Sequence, residues 1–226
     1  MCGRFSLAVS KERVSKKFNI TIEEDIIPNY NIVPTDETYI IGNNFPKNLQ
    51  KMSWGLVPYW AKDAKIGSNL INARSEGIAS KLSFRMPIRK RRCLVLADGF
   101  YEWRKEGRKK IPYRITMQNE PIIAMAGIWD IWNDPNGLPY YSFAILTTRS
   151  NEEMSKVHDR MPIILSTQEE QKKWLEELKL EEILNMMQTL KSGCLDVFPV
   201  SDRVNSYKNN EPELYQPIQL PPTLFD

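Results

Sequence analysis

A chain of 226 residues is long enough for one large domain or two small ones, with a real core in either case. Its 42% hydrophobic and 26% charged content, with no apolar run near the ~18 residues of a membrane span, argues against a membrane-spanning or disordered class. The net charge of +3 is too small to imply a polyanionic partner by itself, but residues 61–120 hold 15 Lys and Arg against 6 Asp and Glu, a local balance of +9 that suits one.

In chain order, Ser10 followed by Lys11–Phe18 predicts a short capped helix with Val14 and Phe18 on one face. Glu37–Ile41 and Leu49–Trp54 read as strands, and Ser53–Lys62, with two tryptophans, a glycine and a proline, as an ordered loop. Cys93–Ala97 is a buried strand. Gly99–Lys105 and Ile111–Met117 form a hairpin about Glu106-Gly107-Arg108. Pro121–Trp129 and Tyr140–Thr148 are strands joined by the turn-rich stretch Asn133–Gly137. Thr167-Gln168-Glu169-Glu170 is a capping box for a helix carrying Trp174, Leu175 and Leu178. A second helix covers Glu181 to Leu190, and Asp196–Val200 is the last strand. Residues 207–226 contain Pro212, Pro217, Pro221 and Pro222 and are expected to be extended. With no repeat, low-complexity linker or boundary, the expectation is one α+β domain over 1–226, a largely antiparallel β core with peripheral helices.

The candidate chemistry begins at Cys2. Removal of Met1 would leave one residue with a free α-amine, titrating near ~7.7–8.0, and a thiol near ~8.5. Such an aminothiol condenses with an aldehyde: the amine forms an imine and the thiol closes a five-membered thiazolidine. The bland alternative is a small buried apolar side chain. Cys2, Cys93 and Cys194 are odd in number and far apart, which speaks against a disulfide framework and for a reducing cytoplasm. One histidine and no CxxC pair speak against an ordinary zinc site. On a strand, Asp98, Phe100 and Glu102 share one face, and a carboxylate beside a large ring is partly desolvated, which suits a proton carrier. A structural ion pair with a neighbouring arginine is the competing reading of Glu102. His158, the sole imidazole, lies in Val157-His158-Asp159-Arg160-Met161-Pro162, where the proline stops a helix. Adjacent residues diverge on a strand, so Asp159 is not expected to orient His158. Asn72 and Arg74 pair an amide with a guanidinium fit for a phosphate. Trp54, Tyr59 and Trp60 suit either base stacking or the core.

Met1-Cys2-Gly3-Arg4-Phe5, Tyr30–Thr35, Trp54–Pro58, Asn72-Ala73-Arg74, Arg92–Trp103, His158–Pro162 and Pro199-Val200-Ser201 occur in an order that resembles the SOS-response-associated peptidase (SRAP) domain across nearly the whole chain. One departure is Gly77, where relatives often carry Thr. The resemblance implies a single domain with a barrel-like β core that recognises abasic sites in single-stranded DNA and crosslinks to them through Cys2, shielding the lesion in the damage response. It makes Asn72 a positioner of the opened sugar, Glu102 and His158 the acid/base pair, and Arg4, Arg74 and Arg160 phosphate contacts; Trp60, from the aromatic loop, is the candidate for stacking on the bases. It also implies a peptidase-like removal of the residue before Cys2, and weak lyase behaviour follows if the imine persists. No cofactor, metal or membrane enters this reading, and the protein is expected to act as a cytoplasmic monomer, nucleoid-associated on damaged DNA. The alternatives are a cysteine peptidase, with Cys2 as nucleophile and His158 as base, and a noncatalytic nucleic-acid-binding module.

Overall fold

A computed structural model describes residues 2–220. Five strands close into a ring: β3 (Glu37–Gly42), β4 (Gln50–Trp54), β6 (Arg92–Ala97), β9 (Ile123–Asn133) and β10 (Pro139–Arg149), in the order β10-β4-β3-β6-β9 with β9 pairing back to β10. All these pairings are antiparallel except β4 with β10. Closure leaves no free edge among the five, the general advantage of a barrel. The short strands β5 (Asn72–Arg74) and β11 (Arg160–Pro162) add to β10. A second sheet runs β12-β8-β7-β1-β2, built from β1 (Phe5–Leu7), β2 (Asn29–Ile32), β7 (Gly99–Glu106), β8 (Lys109–Met117) and β12 (Leu195–Pro199).

The alternating and continuous apolar runs decide where the core sits. Cys93 to Ala97 are all buried, as a strand covered on both faces requires. On β7 the alternation splits the side chains between two clusters: Phe100 joins the main core, while Tyr101 packs with Val200, Val204 and Leu214 of the C-terminal segment. Phe5 meets Trp54 edge-to-face at 4.8 Å, locking β1 onto the barrel. The described part of the C-terminal segment is therefore a strap over the outer face of β7. It includes a 3-10 turn at Pro212–Tyr215 and a bridge from Val200 to Pro217. Residues 221–226 lie outside the described residues.

The helices are marginal in both length and place. In α1 (Lys11–Phe18) Ser10 occupies the N-cap position without a side-chain cap hydrogen bond. In α4 (Gln168–Leu175) Thr167 and Glu170 do make the reciprocal capping box. α5 (Leu180–Met186) ends four residues before the predicted Leu190. Two further single-turn helices are α2 (Pro87–Lys90) and α3 (Glu152–Ser155).

One excursion matters for the site. β4 and β5 lie along the same side of β10, at Ser142–Phe143 and at Ile145–Thr147. The chain between them leaves the barrel at Gly55 and returns at Ile71, carrying Tyr59 and Trp60 outward. Gly55, at φ +131°, and Gly67 touch at the neck: a Cβ on Gly55 would lie 2.7 Å from the Gly67 carbonyl oxygen. Only glycine allows this backbone and this approach, and the narrow neck sets Asn72 into β5.

Candidate active site

The register of β1 on β7 delivers Cys2. Phe5 pairs with Phe100 and Ser6 with Gly99, and Tyr101 N–H donates to the Arg4 carbonyl at 2.9 Å. This antiparallel course carries the N-terminal residues towards Glu102. Cys2 is fully buried, and its thiol donates to the Arg4 carbonyl at 3.8 Å. Burial pushes the thiol well above its ordinary range, and the negative charge of Glu102 pushes it further. Asn72, the first residue of β5, donates through Nδ2 to the Cys2 carbonyl at 2.7 Å. Its Oδ1 is buried with no hydrogen-bond partner among the described residues.

Glu102 is buried on β7, and His158 is a quarter exposed in the loop before β11. Both line one cleft of about 520 Å³, with Trp103, Lys105, Lys110 and Asn205. His158 Nδ1 accepts the Arg160 backbone N–H at 3.0 Å. That bond fixes the neutral tautomer with its proton on Nε2. Asp159 Oδ1 also lies 2.9 Å from Nδ1. Contact with the carboxylate favours a proton on Nδ1, whereas the backbone N–H needs a lone pair there. The backbone bond prevails in the neutral ring, because Asp159 is 86% exposed and screened by solvent. The proximity corrects the expectation that Asp159 diverges from His158. Residues 158 and 159 precede β11 rather than lying within it, so strand alternation does not separate them.

Folding thus brings Cys2, Asn72, Glu102 and His158 together from the segment preceding β1, from β5, from β7 and from the α3–β11 loop. The arginines fare differently. Arg74 is exposed. Arg4 is half-buried and donates to Asn31 Oδ1 and the Val204 carbonyl, both at 2.8 Å, with its guanidinium 6.0 Å from the Trp103 ring centre. Arg160 is buried and donates to Glu76 at 2.7 Å and to the Thr147 carbonyl at 2.6 Å. Trp54 is wholly core, while Tyr59 and Trp60 are exposed at the tip of the excursion. Gly77 sits at φ +73°, a left-handed backbone that favours the glycine found there.

Part of the basic block is not available to any partner. Arg92 is 1% exposed, donating to the carbonyls of Trp174, Ile88, Arg89 and Glu176. Arg114 is buried against Asp98, and Arg91 pairs with Asp130. Of the other cleft residues, Lys105 and Lys110 belong to the basic block and Trp103 to a motif read from the sequence, so Asn205 is the one the sequence did not mark. Trp103 ends the Arg92–Trp103 motif, and its Nε1 donates to Asn205 Oδ1 at 2.8 Å. Asn205 arrives on the C-terminal strap, about 100 residues away in sequence, and no local pattern marks it. Among the described residues no group of three or more His, Cys, Asp or Glu is placed to hold a metal ion.

Fold and cleft together define a single-domain β-barrel protein whose cleft is organised around its own second residue. The chain belongs to the SRAP family: the family model, described as SOS response associated peptidase, matches residues 1–207. It is 41% identical over 223 residues to the Bacillus subtilis "Abasic site processing protein YoqW", covering 96% of this chain and 99% of that protein. It is 38% identical over 197 residues to the Gallus gallus "Abasic site processing protein HMCES", covering 76% of this chain and 58% of that longer one. A crystal structure of a Bacteroides thetaiotaomicron protein superposes with a TM-score of 0.88 at 31% identity, over 96% of this chain and all of that one.

Proposed function

We propose that this protein processes abasic sites in single-stranded DNA by forming a covalent thiazolidine between Cys2, freed of Met1, and the C1′ aldehyde of the lesion. The observation that carries this reading is the placement of Cys2 beside Glu102, with its carbonyl held by Asn72 at 2.7 Å. The names of the relatives support the substrate class.

An abasic deoxyribose is mainly a closed hemiacetal, so its ring oxygen must gain a proton and its C1′ hydroxyl must lose one as the bond between C1′ and the ring oxygen breaks. Glu102 or His158 supplies that proton, and a positioned acid or base is worth ~10²–10⁴-fold. The neutral α-amine then adds to the aldehyde carbon. Glu102 or His158 then protonates the carbinolamine hydroxyl, which leaves as water and gives an iminium. The Cys2 sulfur attacks the iminium carbon, forming the C–S bond; the C=N π pair moves to nitrogen, and the thiol proton passes to Glu102. The buried thiol is a poor thiolate in the resting protein. The iminium cation formed on the same residue offsets both causes of its raised pKa, so the amine acts first and the sulfur second. If sulfur attack lags, the imine permits β-elimination, a slow lyase side reaction. Self-removal of the residue preceding Cys2 is the peptidase-like step in this scheme.

Arg74 holds a backbone phosphate, and Arg4 and Arg160 add positive potential from their anchored positions. Trp60 stacks on an unpaired base beside the lesion. A cysteine peptidase acting on other proteins would use the same residues but needs a ready thiolate, and burial plus Glu102 oppose one.

The test is a denaturing gel of the protein mixed with a single-stranded oligonucleotide carrying one abasic site. A heat-stable shifted band is expected from the wild type. Cys2→Ala abolishes it, leaving only an imine trapped by borohydride. No band from wild-type protein whose intact mass confirms loss of Met1 would defeat this reading.

A further inference from the structure

The β7–β8 rim of the cleft carries two side chains that the chemistry above does not use. Lys105 and Lys110 are direct cross-strand partners, set by the register that also pairs Glu102 with Tyr113. Like charges directly opposite one another destabilise an antiparallel ladder. Both lysines are exposed, and both line the cleft with Glu102 and His158. Neither enters an ion pair among the described residues, although the adjacent Arg104 pairs with Glu106. No ion pair among the described residues relieves the repulsion, at the mouth of a cleft with a buried carboxylate in its wall.

The position of the pair relative to Arg74 gives it meaning. Arg74 belongs to β5 on the barrel sheet, and the lysines belong to the β7–β8 hairpin of the other sheet. Cys2 joins the two, through the β1 register on one side and Asn72 on the other. On the abasic-site reading, a strand with its lesion at Cys2 would run between the two sheets, with one flanking phosphate towards each.

We propose that Lys105 and Lys110 form a two-cation clamp for one backbone phosphate flanking the abasic nucleotide, on the flank opposite to that held by Arg74. The clamp rests on the abasic-site reading of the cleft. Facing residues of an antiparallel pair have Cβ atoms only ~4.5–5.5 Å apart, so both ammonium groups converge on one phosphate. The phosphate relieves their repulsion, and the lysines offset the repulsion between Glu102 and the DNA. The clamp fixes the register of the backbone so that C1′ meets the amine.

The experiment uses a single-stranded oligonucleotide with a tetrahydrofuran site, which lacks the aldehyde and binds without crosslinking. The Lys105→Gln/Lys110→Gln double variant should bind about tenfold more weakly at low salt, with a log K against log salt slope shallower by ~0.7, the value for one phosphate on a single strand. Methylphosphonates placed singly along the strand locate the contact. At one position the wild type loses about the same tenfold and the double variant loses nothing more. Relief of repulsion keeps the variant's melting temperature at or above that of the wild type, so weak binding is not misfolding. Unchanged affinity and slope, or equal methylphosphonate losses in both proteins at every position, overturn the clamp alone if the wild type still crosslinks true abasic DNA. Absence of that crosslink overturns the abasic reading and the clamp with it.

Discussion

Asp98 immediately precedes β7 and is largely buried, Glu102 lies within β7 and is buried, and the two have different surroundings. Asp98 accepts from Ser6 Oγ and the Ala8 N–H at 2.6 Å, and from the Tyr215 hydroxyl at 2.7 Å. It also pairs with Arg114 at 3.1 Å. The Arg114 guanidinium carbon lies over Tyr215, 3.4 Å from its ring centre, and close to Gly99, where a Cβ would come within 2.8 Å of the guanidinium. This knot ties the C-terminal strap to β1 and β7. Glu102 instead borders an open cleft with His158 and raises the pKa of the Cys2 thiol. The first carboxylate is a brace; in the mechanism proposed above, the second is the proton carrier. Four residues of sequence separate the two roles.

The sharpest way to break the comparison is to swap each carboxylate for its amide. Glu102→Gln should slow crosslinking to abasic single strands by ~10²–10⁴-fold while leaving the thermal midpoint nearly unchanged, as read by timed gel quenches and calorimetry. Crosslinking at the wild-type rate would remove Glu102 from the mechanism. Asp98→Asn strands the buried Arg114 charge, so it should cost ~3–5 kcal/mol of stability, lowering the midpoint by roughly 6–20 °C for a domain of this size. The folded fraction should crosslink at the wild-type rate. A rate loss in Asp98→Asn beyond its unfolded fraction would erase the distinction between brace and proton carrier.

Smaller effects sharpen the picture around these two. Asn72→Ala removes the bond to the Cys2 carbonyl, worth ~0.5–1.5 kcal/mol, and should slow crosslinking by up to about tenfold. Its folding midpoint is the control, and an unaltered rate would make Asn72 a spectator. At the far side, Arg160 holds the carboxyl of Glu76 down to about 2, well below its ordinary value. A depressed carboxylate contributes stability above its unfolded pKa and loses it as pH falls towards the folded value, so this contribution disappears between about pH 4.5 and 2. Glu76 is half exposed, so the effect is under about 1 kcal/mol. Acid titration of Glu76→Gln should lack that increment, and an acid limb identical to the wild type would show that the pair contributes nothing.

Much of the barrel is legible in the residues themselves. The apolar runs at 92–97 and 123–133 and the hairpin turn at Gly107, φ +59°, need no distant partner to declare strand or turn. The missed strands β1, β2, β5 and β11 are three or four residues long, too short to show a period, and exist because a neighbour offers an edge. The basic block shows the limit from the other side. Arg92 and Arg114 count as positive charge in a tally, yet each is spent inside on carbonyls or on Asp98.

The ordered motifs of this chain determined its family, and with that resemblance the barrel-like core and the candidate site residues, while its antiparallel strands follow from side-chain type and local periodicity, which are properties of the chain alone. Tertiary structure alone decided which carboxylate braces and which faces the cleft, which arginines stay exposed, and that Lys105, Lys110 and Asn205 share a wall with His158. Those are matters of distance, burial and register between segments far apart in sequence, and they exist only once the two sheets have closed on one another.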